Sequence, residues 1–279
     1  MRIEAVIVCI NYSDFLSHTL PHNKNQFDKI VVVTDPNDEE TQRVCDFFNV
    51  QCIQTVGMYY GGDTVPNKGR AINAGLQALE KTGWVVQLDA DIYLPPLTRH
   101  ILESYPLNPH CLYGIDRLMC NSYADWYKYM HKTGKPVHEG WIYLHTEIFQ
   151  IGTRLVQYHG DGYLPIGFFQ LWHPGTSGIS RYPTADVGYD RSDVVFLKQW
   201  ARVHRQLIPD LLCIHLANAA HSMGQNWTGR KTPRFEPDPG QPVYHPLNFW
   251  QRLWQRLKLW FCGLYDRHFY YGKKVKQTK

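Results

Sequence analysis

Trp84-Val85-Val86-Gln87-Leu88-Asp89-Ala90-Asp91 is an apolar run that ends in two carboxylates spaced two apart. In a β-strand the side chains at i and i+2 share a face, so the stretch is expected to present Asp89 and Asp91 together where a strand leaves its sheet. Pro95 and Pro96 follow closely and bar a central strand from continuing. The acidic pair is therefore expected at a carboxyl edge, where open α/β sheets take their ligands, and two hard carboxylates there suit a divalent metal.

Upstream of this strand, strand-like and helix-like segments alternate. Residues 5–10 read as a strand, followed by the loop Asn11-Tyr12-Ser13-Asp14. A β-branched run, Ile30-Val31-Val32-Val33-Thr34, breaks at Asp35-Pro36-Asn37-Asp38. Residues 39–48 have helical spacing, and 51–56 read as a short strand ending in Gly57. After Asn67-Lys68-Gly69-Arg70, the residues Ala71, Ile72, Gly75, Leu76 and Leu79 recur at helical spacing. Four strands separated by crossovers within about a hundred residues predict an α/β domain with a largely parallel sheet. Beyond residue 105 two anchors stand out, a helical pattern over about 191–202 and a strand over 211–216. The expected organisation is one domain over 1–228 (halves 1–100 and 101–228), an extended linker over 229–246, and a basic helix and tail over 247–279. That helix carries Trp250, Leu253, Trp254, Leu257, Phe261 and Leu264 on one face and Arg252, Gln255 and Arg256 on the other.

The formal charge of +4 is uneven, because residues 241–279 hold eight Lys/Arg against Asp266. A basic end on a mildly acidic body suggests contact with a polyanion, nucleic acid or an anionic membrane, or else a solubilising tail. With 9 Trp, 18 Tyr and 12 Phe the chain reads as packed and globular rather than disordered. Seven cysteines form no Cys-x-x-Cys pair, and Cys9 and Cys213 lie inside apolar runs. They read as reduced core residues, and with no leader-like start and no apolar run near 18 residues the expected location is cytoplasmic.

The order of elements, with Asn67-Lys68-Gly69-x-Ala71-x-Asn73-x-Gly75 opening a helix and an apolar strand running into Asp89-Ala90-Asp91, resembles glycosyltransferases of the GT-A fold, especially the family-2-like group, over residues 1–100. The resemblance implies a Rossmann-like, mostly parallel sheet flanked by helices, a nucleotide-sugar donor (UDP-sugar by family habit) and Mn²⁺ or Mg²⁺. It maps Asn11, Tyr12 and Asp35 to the nucleotide, and Asn67, Lys68 and Asn73 to the diphosphate-sugar. Asp89 maps to sugar and metal, and Asp91 to metal. Asp193, at a helix start, maps to the general base of inverting members, with Asp186 and Asp190 as rivals. His215, at a strand end, maps to a third metal ligand, with His221 as the alternate. The plainer readings are a helix cap for Asn67, turn chemistry before Pro36 for Asp35, a cap or dipole partner for Asp193, and a packed histidine for His215.

His215-Leu216 and Asn226-Trp227-Thr228-Gly229-Arg230-Lys231, together with Leu88–Pro95, are similar to the TET/JBP-associated and phage DNA-base glycosyltransferases. That similarity implies 5-hydroxymethylpyrimidine in DNA as the acceptor. Arg230, Lys231 and Arg234 would then meet phosphates, and the aromatic stretch Phe168-Phe169-Gln170-Leu171-Trp172 would stack on an extruded base unless it packs in the core. Three other readings compete: a transferase for a cell-surface saccharide or lipid-linked acceptor, with the 247–264 helix on a membrane; a metal-dependent nucleotidyltransferase, disfavoured by the lack of a Gly-rich phosphate loop; and a nucleic-acid-binding protein with a degenerate transferase fold. Three placed carboxylates, Asp89, Asp91 and Asp193, count against the last.

Overall fold

The structure is a computed structural model, described over residues 1–56, 67–120, 122–133, 163–184, 192–217 and 225–237. Its centre is an eight-stranded sheet in the order β3-β2-β1-β4-β7-β6-β8-β5. The N-terminal strands are β1 (Ile3–Val8), β2 (Lys29–Thr34), β3 (Gln51–Gln54) and β4 (Trp84–Asp89), all paired parallel. Helices α1 (Ser13–Asn23), α2 (Glu39–Phe47) and α3 (Lys68–Gln77) form their crossovers. This is the α/β half expected from the sequence. Every residue of β1 is buried, because alternate side chains enter different cores. Ile3, Ala5 and Ile7 pack with Leu16 and Leu20 of α1, whereas Val6 and Val8 pack with Ala71, Ile72 and Leu76 of α3.

The second half departs from pure parallel order. β5 (Ile92–Tyr93) and α4 (Thr98–Ser104) lead into β6 (Leu112–Cys120) and α5 (Tyr123–Thr133). β7 (Phe169–Trp172) then runs antiparallel between β4 and β6. The short α6 (Pro174–Ser177), α7 (Ser192–Leu197) and β8 (Arg205–Leu216) complete the set. β8 pairs parallel with β6 and antiparallel with β5.

The connection from β4 to β5 has a strong geometric consequence. The two strands are four places apart in the sheet, about 19 Å if it were flat. Only Ala90 and Asp91 lie between them, a reach of about 11 Å at most. The sheet must therefore curl until its β5 edge returns to the end of β4. Two buried polar side chains of α1 hold the link. Thr19 donates to the Ala90 carbonyl (2.6 Å), and Asn23 both donates to the Ile92 carbonyl (2.7 Å) and accepts from the Leu94 N–H (2.9 Å).

Residues 229–237, the start of the stretch read as a linker, pack against α1. Arg230 makes a two-pronged bridge to buried Asp14 (2.7 and 2.6 Å), and Phe235 is buried beside Phe15. The rest of that stretch and the basic 247–279 extension lie outside the described residues. Among the described residues six cysteines are free, five of them buried. No helix among the described residues is long and apolar enough to cross a membrane.

Gly75 marks where α3 meets the sheet: a Cβ there would lie 2.3 Å from Val6 Cγ2 and 2.8 Å from Val33 Cγ2. Gly75→Ala is expected to destabilise the protein by about 2 kcal/mol through this overpacking, although alanine favours a helix. Urea denaturation of the two proteins measures it.

Candidate functional site

Asp89 is the last residue of β4, and Asp91 sits in the turn before β5. Strand alternation therefore stops one residue short of Asp91, and the two carboxylates take different partners. Lys68, in the first turn of α3, places Nζ 2.5 Å from Asp89 Oδ1, and Gln87 Nε2 donates to the same oxygen (2.9 Å). His215 of β8 sets Nε2 3.0 Å from Asp91 Oδ2, brought there by the β5–β8 pairing of Ile92 with His215. The Leu216 N–H fixes the Asp91 carbonyl from the same strand (2.8 Å).

The electrostatics are uneven across the pair. Burial and the neighbouring Asp91 charge push the Asp89 carboxyl above its ordinary range, even with Lys68 against it. Burial pulls Lys68 down, but Asp89 leaves it net raised and firmly cationic. Burial also acts to raise Asp91, yet His215, Lys68 and Arg117 hold it below the usual carboxylate value. Asp91 is thus an anion in a site short of water, and its Oδ1 is buried with no hydrogen-bond partner.

Among the described residues no three His, Cys, Asp or Glu side chains gather closely enough to hold a metal by themselves. The expected trio Asp89, Asp91 and His215 reduces to Asp91 beside His215. The orphaned Asp91 Oδ1, a hard oxygen, suits Mg²⁺ or Mn²⁺ completed by substrate oxygens and water. On the far side of the imidazole, Arg117 Nη1 lies 2.8 Å from His215 Nδ1. A guanidinium only donates, so Nδ1 presents its lone pair and Nε2 carries the proton towards Asp91. As found, His215 orients Asp91.

Asp193, in the first turn of α7, accepts from the Gly167 N–H (2.7 Å) through Oδ2 and from the Val194 N–H (2.8 Å) through Oδ1. A Cβ on Gly167 would stand 2.7 Å from that of Asp193, so only glycine allows the approach. Asp193 belongs to the same electrostatic cluster, since its charge reaches Lys68. Its rivals Asp186 and Asp190, and His221, lie outside the described residues.

Several residues expected at the ligand also hold the scaffold together. Asn67 caps α3 by accepting from the Arg70 N–H (3.1 Å) and donates to the Thr184 carbonyl (2.8 Å). Asn73 grips the Tyr182 backbone at both ends (3.0 and 2.8 Å). Both amides hold segment 182–184. Asn11, in the left-handed region at φ 58, trades hydrogen bonds with Asn226 and donates its N–H to Asp38 (2.7 Å). Asp35 accepts from the backbone and side chain of Asn37, the turn chemistry that Pro36 foreshadowed. Tyr12 stands at the start of α1, its ring 5.8 Å from that of Phe15.

Arg230 is bonded to Asp14 and the Asn11, Thr232 and Pro233 carbonyls, and Arg234 is paired with Glu40. Lys231 donates to Thr228. Phe168 is buried, and Phe169 to Trp172 are core residues of β7 rather than a base-stacking loop. The sequence reading missed Gln87, Arg117 and Gly167. Gln87 was open to the i, i+2 rule from Asp89, whereas nothing local ties Arg117 to His215 or Gly167 to Asp193.

No family model matches the chain, and no curated protein matches it. Among solved structures, glucosyl-3-phosphoglycerate synthase from Mycobacterium tuberculosis in complex with phosphoglyceric acid is similar at 14% identity, over 79% of this chain and 72% of that one, with a TM-score of 0.43. The same enzyme with Mn²⁺, UDP and glucosyl-3-phosphoglycerate gives 15%, 77%, 71% and 0.42. Mannosyl-3-phosphoglycerate synthase from Rubrobacter xylanophilus gives 12%, 80%, 68% and 0.46. Similarity at this level carries no argument about the activity of this chain, whose chemistry has to come from its own side chains.

Lys68→Met would leave Asp89 facing Asp91 without its cation. The expected loss is about 2 kcal/mol, less than for a fully buried pair because a quarter of the Asp89 side chain is exposed. In that variant the folded state holds the Asp89 proton more tightly than the unfolded chain does, so the penalty is largest at neutral pH. It shrinks as pH falls towards about 4. Urea titrations at the two pH values measure both effects.

Proposed function

We propose that the protein is a metal-dependent glycosyltransferase that moves a sugar from a nucleotide-sugar, a UDP-sugar by family habit, to a hydroxyl acceptor with inversion. The observation that carries this reading is the meeting, at the carboxyl end of the central strand, of Asp89 with Lys68 and of Asp91 with His215, supplied by three separate parts of the chain. A structural ion pair would need neither the orphaned Asp91 oxygen nor a second carboxylate held beside it.

In this mechanism Asp91, aligned by the His215 N–H, would hold a divalent ion, which when bound supplies charge stabilisation for a departing diphosphate. Lys68 adds a fixed cation on the donor side, and Asp89, held by Lys68 and Gln87, offers its remaining oxygen to a sugar hydroxyl. Asp193 would take the acceptor proton. Its two backbone hydrogen bonds, from Gly167 and Val194, fix its direction.

The acceptor is proposed as a hydroxyl compound rather than as DNA in particular. Arg230 and Arg234 are paired within the fold and the Phe168–Trp172 aromatics are buried, so the features that favoured a 5-hydroxymethylpyrimidine base have structural uses. DNA remains one arm of the test, with saccharide and lipid-linked acceptors as the others. The membrane role of 247–264 concerns residues outside those described.

The test is UDP release from a pool of UDP-sugars with Mn²⁺, followed by mass spectrometry of hydroxymethylated DNA, oligosaccharide and lipid acceptors. Asp91→Ala is expected to reduce turnover by at least about 100-fold with the fold intact. Asp193→Asn should reduce transfer by about 100-fold or more while donor binding persists. Full turnover in Asp91→Ala would overturn the assignment.

A further inference from the structure

Among the described residues, several buried or half-buried charges are answered by close partners. Glu4 accepts from Arg2 and from the Glu80 and Lys81 N–H groups. Asp14 has Arg230, Asp38 has four donors, and Lys68 has Asp89. Arg117, on β6, is 8% exposed and has no carboxylate in ion-pair contact among the described residues. Its hydrogen bond goes to His215 Nδ1, a ring nitrogen rather than an anion, and its Nε is buried with no acceptor at all. The guanidinium stacks over Phe168, 4.7 Å from the ring centroid, which fixes its plane. Withholding a counter-ion from a buried cation is costly, and structures retain such groups where a ligand supplies the missing partner.

We propose that Arg117 is the receptor for a substrate oxyanion, a phosphate or carboxylate group brought to the Asp91–His215 end of the site. The proposal deepens the transferase reading and rests on it for the source of the anion. Charge supports it. Among the described residues, Asp89, Asp91 and Asp193 are set against Lys68 and Arg117, so with all three carboxylates ionised a bound divalent ion leaves the cluster at one net positive charge. Without Arg117 the loaded cluster would be neutral and would draw a diphosphate less strongly. Geometry supports it as well. The His215 contact occupies one end of the planar fork and leaves Nε free, and a fork of this kind is suited to two oxygens of one anion. The anion could belong to the donor diphosphate or to the acceptor, and the two sources are separable.

The experiment uses the full chain with isotope-labelled arginine side chains followed by NMR, the Arg117 signal being identified by its loss in Arg117→Lys. The wild type is titrated with Mn²⁺ plus UDP, with Mn²⁺ plus uridine, and with inorganic phosphate after UDP saturation. A shift of the Arg117 Nε–H signal with UDP but not uridine assigns the site to the donor diphosphate. A shift only when phosphate follows UDP assigns it to an anionic acceptor. In either case Arg117→Met should weaken that binding by about 10- to 100-fold, and Arg117→Lys by less. An Arg117 signal that ignores every anion overturns the proposal, and so does undiminished binding in folded Arg117→Met. If Arg117→Met does not fold, the wild-type spectrum decides alone. An Arg117 response in a protein that transfers no sugar would keep the anion site and overturn the transferase reading.

Discussion

The two-residue link between Asp89 and Ile92 is the constraint on which the rest of the structure depends. An eight-stranded sheet whose fourth and eighth strands are joined by Ala90 and Asp91 cannot lie flat. Once it curls, β8 arrives beside the end of β4, and His215 faces a carboxylate more than a hundred residues earlier in the chain. The buried amide of Asn23 and hydroxyl of Thr19 fix the link from α1, so the tip of the central strand is gripped from two sides. The acidic turn is thereby a rigid part of the sheet, as a site that must keep two carboxylates close requires.

Keeping them close has an electrostatic cost that the fold answers locally. Like charges in a site of low dielectric repel strongly, and each Asp here has its own donor from a different element. Lys68 is presented by the first turn of α3, which Asn67 caps; His215 is presented by β8 and steadied from behind by Arg117. The two carboxyls shift in opposite directions, because burial and the Asp91 charge raise Asp89 in spite of Lys68, whereas His215, Lys68 and Arg117 hold Asp91 low against its burial. Two side chains of one residue type, two positions apart, are thus set up for different work.

Much of the frame was legible because it depends on local pattern. The runs that became β1, β2 and β4 are β-branched and apolar, and the spacing of Ala71, Ile72, Gly75 and Leu76 marks α3. β7 was hidden because Phe169–Trp172 is buried on both faces, which erases alternation, and glycines and prolines flank it. α1 was hidden by Pro21, which lies inside the helix. Within the site, Asp89 and Asp91 share one short motif and Lys68 lies in another, so local pattern marks all three. Asn67 and Asn73 belong to the motif of Lys68, yet their amides bind a backbone segment more than a hundred residues away, and no spacing reveals such a partner. Asp35 and Asp38 show the same limit at short range. Both sit in one turn, and Asp38 became the buried hub because it also faces Thr34, Thr41 and the Asn11 N–H.

The pairing of Ile92 with His215 also bears on how the chain is made. Synthesis proceeds from the N-terminus, so the acidic turn and its gripping helix exist well before β8 does. Closing a loop of that length is entropically slow compared with forming the parallel N-terminal half. During that interval β5 is a strand without its neighbour and Asp91 an anion without its imidazole. The chemistry of this site is therefore a late product of folding, absent from any nascent chain that has not yet extended through residue 216.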